Sequence, residues 1–450
     1  MPEQDITTDF LKRLLANDDD QLAEERLAEI HPSTLAPLLA DLGAAEIQRL
    51  IDLLFVRHRA AAMLAHLPPE LMPQILEDIP DQRIADVLAR LEIDDMLLLV
   101  EHLPSNRREI VEELLPPSQR RDLMRAELYP PDSAGRAMVT HFIALHQEMT
   151  AQEAIDAIRL EGDSDDGGLH LYVVDEGRRL LGVVHVRKLV SAPPETPVGG
   201  LMVPELVSIS SEADQEEAAQ LVARYDLLAL PVTDPDDRMV GIITVDDVID
   251  VINEEATEDI YHLAGLSDSD RVYTSARVSI NKRLPWMLVN LGTAFTAASV
   301  VGFYESTLDQ LVSLAIFLPV VAGVGGNGGI QTLTVITRSI ALGEIEFSSG
   351  LRAVGKELWV GLVIGSVAGI LAGLVAYLWQ GNPILGLVLL LAMMITMTVA
   401  SLLGAAIPLM LKSLGQDPAL GAGVLLTFCT DALGFFSFLG IATLLLEHLL

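Results

Sequence analysis

The chain has 450 residues, half of them apolar, and a formal net charge of −34. Residues 1–283 contain 25 Lys and Arg against 55 Asp and Glu, whereas residues 284–450 contain 4 and 8. An acidic soluble part therefore precedes a sparsely charged apolar part, and the length suggests about three domains. Such an acidic surface repels nucleic acid and attracts cations, so no nucleic-acid partner is expected. The single cysteine, Cys429, excludes an internal disulfide.

The first 130 residues contain a helical repeat. The segments HLPPELMPQILEDIP (66–80) and HLPSNRREIVEELLP (102–116) follow each other with a period of 36 residues, and proline begins and ends each of them. This pattern predicts short helices that stack into a small superhelix. Acids on these helices, such as Asp86, Asp94 and Asp95, indicate by themselves only a solvated surface. The N-terminus has no basic start followed by an apolar segment, so we expect no cleaved signal peptide.

Residues 138–190 and 202–252 contain one unit written twice. MVTHFIAL in the first copy corresponds to MVPELVSI in the second, and LGVVHVRKLV corresponds to VGIITVDDVI. Each copy predicts the order strand, helix, strand, turn, strand, helix. The tandem unit resembles a pair of CBS domains, which are regulatory α/β modules that often bind adenosine nucleotides.

This resemblance implies a nucleotide site. The Ser/Thr-x-x-Asp ribose motif of CBS domains is present in the second copy at Thr244 and Asp247. The first copy has His185 and Lys188 at these places, with Arg187 between them as a candidate contact to the nucleotide. We therefore name Thr244, Asp247 and Arg187 as the nucleotide-binding candidates, with ATP as the ligand.

The second copy ends in a strongly acidic segment, VDDVIDVINEEATEDIYHL (245–263), which contains seven acids and no Lys or Arg. Its apolar residues have helical spacing, and Asp247, Asp250, Glu254 and Glu258 fall on one face, where like charges repel. More acids occur upstream, in SEADQEE, at Asp226 and in DPDD. The cluster is either a solvated face or a cation sensor, and we favour the sensor because cations relieve the repulsion. Oxygen ligands without cysteine favour Mg²⁺ or Ca²⁺ over zinc.

The apolar part contains five stretches long enough to cross a bilayer, which takes about 20 residues of helix. They lie near residues 284–304, 311–337, 358–379, 384–411 and 419–446. We call them spans one to five.

Basic residues set the orientation of these spans. Lys and Arg precede span one and occupy the loops after spans two and four, at Lys282, Arg283, Arg338, Arg352, Lys356 and Lys412. The opposite loops, ESTLDQ (305–310) and QGNP (380–383), contain neither. The positive-inside rule then places the acidic domains and the N-terminus in the cytoplasm, and the C-terminus outside.

Span two, FLPVVAGVGGNGGIQTLTVITR, is unusual for a membrane helix. Pro319 and five glycines between residues 323 and 329 weaken the helix, and Asn327 and Gln331 place amides at membrane depth. The small residues serve either close packing alone or packing together with the lining of a pore. We favour the second interpretation.

Span five contains a lone acid, Asp431, with no other charge between Ala419 and Leu446. At 1.5 Å per residue it lies roughly 18 Å into its helix. A charge at that depth costs on the order of 3 kcal/mol. No basic residue lies near the centre of a span, which leaves a neutral structural Asp or a hydrated path for cations. We favour the path, because acidic side chains suit a cation pore.

Three segments together resemble the MgtE family of magnesium transporters: GIITVDDVIDVINEEATEDI (241–260), PVVAGVGGNGGIQTLTVITRSIALGEI (319–345) and GQDPALGAGVLLTFCTDALGFFSFLGIAT (415–443). The order of regions also agrees with that family. The resemblance implies four parts: an all-α N-terminal superhelical domain at 1–130, a tandem CBS pair at 131–255, a connecting (plug) helix at 256–283, and a five-helix transmembrane domain at 284–450.

The same resemblance implies a homodimer with its pore on the two-fold axis. Asp431 of each subunit would hold hydrated Mg²⁺ in that pore. The backbone carbonyl of Thr427, one turn earlier, would contribute to this site, and Asn327 and Gln331 would line the pore beside it.

The resemblance further implies a cytoplasmic Mg²⁺ sensor. Its matching acids are Asp214, Glu216, Asp226, Asp247, Asp250, Glu255, Glu258 and Asp259. Asp417, in the loop before span five, would face the connecting helix. In the N-terminal domain Asp94 and Asp95 match, but Leu98 and Leu99 stand one turn later where the family tends to have a further acid.

We therefore expect a homodimeric Mg²⁺ channel or transporter of the bacterial cytoplasmic membrane that imports Mg²⁺ and is closed by cytoplasmic Mg²⁺. One alternative is a carrier that exchanges Mg²⁺ for another cation. A second is a membrane-anchored CBS nucleotide sensor without transport. No enzyme is expected, because no catalytic dyad or phosphate-binding glycine loop follows a convincing strand.

Overall fold

The computed structural model describes residues 7–17, 19–56, 59–67, 71–77, 79–161, 170–204, 206–266, 270, 274, 276–345 and 347–449. The chain forms two compact units, Met1–Ile252 and Asn253–Leu450.

The described residues of the N-terminal region of the first unit form helices and the turns between them. Its helices are α1 Thr8–Ala16, α2 Asp20–Ala28, α3 Pro32–Leu35, α4 Ala44–Val56, α5 Ala60–Ala65, α6 Met72–Glu77, α7 Asp81–Leu88, α8 Ile93–Glu101, α9 Ser105–Leu114 and α10 Pro117–Ala126, with a 3₁₀ helix at Ala36–Asp41. Prolines precede α7, α9 and α10, because a proline without an N–H is tolerated where a helix begins. Their apolar faces share one core, as the repeat predicts. Part of the first repeat segment, 66–80, lies outside the described residues.

The repeated unit folds as two small α/β modules. The first contains β1 Ile143–His146, α11 Ala151–Glu161, β2 His170–Val174, β3 Leu180–His185 and α12 Val186–Ser191. The second contains β4 Ile209–Ser210, α13 Gln215–Tyr225, β5 Ala229–Thr233, β6 Met239–Thr244 and α14 Val245–Leu263. In each three-stranded sheet the first strand is parallel to the second and the second antiparallel to the third. The shared topology confirms that one fold is used twice.

The second unit contains the apolar helices. They are α15 Ala276–Phe303, α16 Glu305–Gln310, α17 Ser313–Ala341, α18 Phe347–Gln380, α19 Pro383–Ser413, α20 Ala422–Leu444 and α21 Leu446–Leu449. Within the described residues five of them, α15, α17, α18, α19 and α20, are long and apolar enough to cross a membrane. This confirms the five predicted spans, although most helices extend beyond the apolar stretches from which they were predicted.

Span two remains one continuous α-helix despite Pro319 and its glycines. The glycines are used for close packing: a Cβ at Gly325 would lie 2.6 Å from Thr396 Cγ2 of span four. Likewise, a Cβ at Gly404 of span four would lie 2.7 Å from the carbonyl oxygen of Gly329. Small residues thus let the backbones of spans two and four approach closely. This packing stabilises the helix of span two, whose proline and glycines lower its own helix propensity.

Candidate functional site

Asp431 lies near the middle of α20, the helix of span five. Its side chain is partly exposed on the surface of the single chain. Within the part of the chain that the structure describes, it has no hydrogen-bond or ion-pair partner. An ionised carboxylate at this depth requires water or a cation beside it, because lipid offers neither.

Span two carries a polar stripe on one face. Asn327, Gln331, Thr334 and Arg338 follow each other at steps of four, three and four residues, and all four are exposed. The opposite face of α17 is buried through Gly325, Gly328, Gly329 and Thr332. One face of this helix therefore serves close packing, and the opposite face presents a polar surface. A row of amides facing lipid is costly, so this surface favours contact with water or protein.

Thr427 lies one turn before Asp431 on α20 and is partly exposed. Its hydroxyl donates a hydrogen bond to the carbonyl of Gly423 at 2.9 Å, and its own carbonyl accepts one from the Thr430 hydroxyl at 3.0 Å. Because Thr427 lies inside α20, the same carbonyl also accepts the helical backbone N–H four residues later, so both of its lone pairs are engaged and a water or hydrated ion would have to share one of them.

A buried acid that the sequence analysis missed lies in span three. Glu357 is 5 % exposed, its Oε2 accepts a hydrogen bond from the Thr332 hydroxyl of span two at 3.3 Å, and its Oε1 lies 2.9 Å from Lys356 Nζ. In the sequence the pair Lys356–Glu357 resembles a charged flank that precedes the apolar stretch. The helix in fact begins ten residues earlier, at Phe347, and thereby turns Glu357 towards the helix that carries the polar stripe.

In the first unit the structure brings two predicted sensor acids together. Asp94 on α8 lies close enough to Asp247 on α14 for its charge to raise the pKa of Asp247. Burial, followed by the charge of Asp94, raises the pKa of Asp247 to about 7, against the opposing hydrogen bond from Thr244. Burial, followed by the charge of Asp95, raises the pKa of Asp94 to about 6. Oδ1 of Asp94 is buried without a hydrogen-bond partner among the described residues.

In the second unit another group of predicted acids gathers at the end of α14. The Nδ1 atom of His262 lies 2.5 Å from Asp417 Oδ2 and 3.5 Å from Glu258 Oε1. Burial, and next the charge of Asp417, raises the pKa of Asp259 to about 6, while Arg338 and His262 oppose this shift. Glu258, Asp259 and Asp417 were predicted from the sequence, but His262 was not. Its role becomes visible only because the fold places Asp417 against the end of α14.

The remaining predicted sensor acids lie at separate places. Asp214 begins α13, where its carboxylate accepts the backbone N–H of Glu216 at 2.8 Å. Asp226 ends the same helix at φ 50° and is exposed. Asp250 is exposed and Glu255 partly buried on α14. The structure of the single chain does not gather these residues into one site.

The nucleotide candidates lie in different copies of the repeated unit. The Thr244 hydroxyl donates a hydrogen bond to Asp247 Oδ2 at 2.6 Å, so the ribose motif of the second copy is formed. Arg187 lies on α12 in the first copy, exposed beside the exposed Lys188. The first copy thus has His185 and Lys188 where the motif has a hydroxyl and a carboxylate.

Comparison with known families places each region. Residues 318–441 match the family of MgtE divalent cation transporters, residues 30–132 match the MgtE intracellular N domain, and residues 134–195 and 198–254 each match a CBS domain.

Similar proteins cover almost the whole chain. A magnesium transporter MgtE of Thermus thermophilus is 35% identical over 446 residues, which is 97% of this chain and 98% of that protein. A magnesium transporter MgtE of Bacillus subtilis is 30% identical over 450 residues, covering 99% and 100%. Among solved structures, the cytosolic domain of the Mg²⁺ channel MgtE in complex with ATP is 34% identical, with a TM-score of 0.50 over 54% of this chain and 98% of that one. The soluble part of a magnesium transporter is 28% identical, with a TM-score of 0.51 over 55% and 98%.

Fold and site together define a polytopic membrane protein with a helical N-terminal region and a CBS pair. The chain belongs to the MgtE family. The two relatives that cover almost the whole chain are both named as transporters.

The raised pKa values of Asp94 and Asp247 predict that stability depends on pH. Both groups hold their protons more tightly in the folded state than in the unfolded state, where an Asp has a pKa of about 3.9. Stability should therefore fall as the pH rises from about 4 to about 7 in the absence of divalent cations. The melting temperature of the purified full-length protein in detergent, followed with pH, measures this.

Mg²⁺ should raise that melting temperature more at pH 8 than at pH 5, because only ionised carboxylates bind it. Asp247→Asn should flatten the pH dependence, whereas Asp86→Asn, at an exposed position on α7, should not. If the melting temperature of Asp247→Asn changed with pH as steeply as that of the native protein, the pH dependence could not be assigned to Asp247.

Glu357 should contribute to stability through Thr332. Glu357→Ala leaves the Thr332 hydroxyl without its partner and should cost about 1–3 kcal/mol, whereas Glu357→Gln keeps an oxygen acceptor and should retain most of the stability. Thermal unfolding in detergent measures the difference, with Glu344→Ala, at an exposed position, as the control. The interpretation fails if Glu357→Ala melts like the native protein.

Proposed function

We propose that this protein is a Mg²⁺-selective channel or transporter that carries Mg²⁺ into the cytoplasm across the bacterial cytoplasmic membrane. The observation that supports this most is Asp431, a partly exposed carboxylate near the middle of span five without a partner among the described residues. Mg²⁺ loses its water reluctantly and is bound by one or two carboxylates together with its hydration shell. A sparse acidic site suits this ion better than a cage of ligands.

The pore is proposed to lie between two copies of the chain. The polar stripe of span two and Asp431 are both at the surface of a single chain, where a second copy would enclose them in a common hydrated path. Asn327 and Gln331 would then line the path, and the carbonyl of Thr427 would contact the ion through water. The known relatives, named magnesium transporters, support the choice of ion.

Closure is proposed to follow from Mg²⁺ bound to the cytoplasmic acids. Without cations, the partly buried Asp247 is repelled by Asp94, and Asp259 at the end of α14 is repelled by Asp417; after burial, this repulsion is the next cause of their raised pKa values. Bound Mg²⁺ would remove this repulsion and stabilise the packed arrangement. A change from mostly open to mostly closed takes about 5.5 kcal/mol of preference, which several weak sites can supply together.

Inward transport follows from the proposed orientation. The basic loops after spans two and four place the acidic domains in the cytoplasm by the positive-inside rule. A sensor on the cytoplasmic side would close the path when the cytoplasmic Mg²⁺ concentration is high. Uptake would then stop once the cell contains enough Mg²⁺.

ATP is a second proposed ligand, favoured by the similar cytosolic domain that was solved with ATP. Thr244 and Asp247 would hold the ribose, and Arg187 would contact the nucleotide from the first copy. Asp247 would then belong to both the nucleotide site and the pair with Asp94, which links the two ligands.

Asp431→Ala should abolish the Mg²⁺-dependent growth rescue of a Mg²⁺-uptake-deficient bacterial host, because no other carboxylate lies near the middle of span five. Asp309→Asn, which removes an exposed acid on α16, is the matched control and should rescue normally. Normal rescue by Asp431→Ala would refute the pore assignment and favour a sensor without transport. Dependence of liposome uptake on a Na⁺ or proton gradient would instead identify a coupled exchanger.

Neutralising the sensor acids should impair closure. The triple variant Asp247→Asn, Asp250→Asn, Glu258→Gln should require higher cytoplasmic Mg²⁺ to close, because fewer carboxylates gain from the bound ion. Patch recordings with Mg²⁺ varied on the cytoplasmic side measure the shift.

A control with equal charge removal separates this effect from net charge. It neutralises three exposed acids elsewhere, Glu109, Glu113 and Glu148. Native Mg²⁺ inhibition in the first triple variant would contradict the sensor proposal.

A further inference from the structure

The group at the end of α14 differs from an ordinary Mg²⁺ site because it contains an imidazole. One ligand atom each from Glu258, His262 and Asp417 lies within 4.8 Å of the other two. All three side chains are partly buried. The arrangement therefore offers two carboxylate oxygens and one nitrogen to a single ion.

The backbone holds these ligands in place. Glu258 and His262 are four residues apart in the last turns of α14, so both project from one helix face, the same spacing as the two histidines of helical zinc sites. Asp417 is fixed from the other side, because its Oδ1 accepts the Ala419 N–H at 2.8 Å while its Oδ2 faces His262. The helix C-terminus adds a negative partial charge that favours a bound cation.

The type of ligand selects the type of metal. Mg²⁺ takes oxygen ligands in a strict octahedron and keeps much of its water, whereas imidazole suits Zn²⁺ and its neighbours among the divalent transition metals. We propose that Glu258, His262 and Asp417 form a site for a divalent transition metal of the Zn²⁺ and Co²⁺ class, which binds there in preference to Mg²⁺.

A metal at this site would be placed to regulate the Mg²⁺ path. This regulatory role rests on the proposed function. The end of α14 packs tightly on the start of span five: a Cβ at Gly423 would lie 2.2 Å from the carbonyl oxygen of Leu263. A metal that joins His262 to Asp417 ties α14 to the helix that carries Asp431. Transition-metal binding then holds the protein closed, in addition to its control by Mg²⁺.

Zn²⁺ binding to the purified full-length protein in detergent tests the site directly. Competition with a chromophoric chelator, in the presence of millimolar Mg²⁺, should reveal one Zn²⁺ site per chain that His262→Gln weakens at least about tenfold. Asp417→Asn should weaken the same site. His146→Gln, which removes an exposed imidazole on β1, should leave it unchanged. X-ray absorption at the zinc edge should show imidazole scattering in the native protein and lose it in His262→Gln.

The proposal is overturned if His262→Gln binds Zn²⁺ as tightly as the native protein, or if millimolar Mg²⁺ displaces the ion. The outcome is independent of transport, because the Asp431→Ala variant should bind Zn²⁺ with native affinity even when it carries no Mg²⁺. Where the native protein conducts, cytoplasmic Zn²⁺ should reduce the current, and His262→Gln should remove that effect. Inhibition that persists in His262→Gln would overturn the regulatory role.

Discussion

This protein depends on one constraint: it holds negative charge away from bulk water without enough basic side chains beside it. The chain concentrates this constraint at two depths. In the membrane it is Asp431, partly exposed near the middle of a long apolar helix. In the first unit it is Asp94 with Asp247, whose pKa values are raised to about 6 and about 7. In the proposed function a hydrated divalent cation relieves both, so that transport and its control would use one type of interaction.

Span two combines close packing on one face with a polar surface on the other. Glycine at positions 325, 328 and 329 removes side-chain volume from one face, which lets spans four and five approach the backbone. The packing of that face fixes the rotation of the helix and thereby exposes Asn327 and Gln331 on the other. Glu357 adds a polar tie from span three to Thr332, next to Gln331. Packing and polarity are therefore two faces of one helix and not alternatives.

Local patterns in the sequence were sufficient to predict the fold class. Hydropathy over about 20 residues identified the five spans, and the duplicated motifs identified the two α/β modules, because both signals are contained in short segments. Residues that act through distant partners were not accessible in this way. Glu357 was not recognised as a candidate, since the hydropathy pattern does not show that the helix starts at Phe347. His262 was missed because only folding brings Asp417 to the last turns of α14. The grouping of the acids also required the structure, which joins Asp94 to Asp247 but leaves Asp226 exposed at a helix end.

Single-channel recording of the purified protein in a planar bilayer, with Mg²⁺ varied separately on each side, tests the central claim most directly. The account predicts a current carried by Mg²⁺ when the cytoplasmic face is free of divalent cations, and closure when Mg²⁺ is added to that face alone. A protein that carries no Mg²⁺ current under these conditions, or that closes only when Mg²⁺ is added to the opposite face, would contradict it.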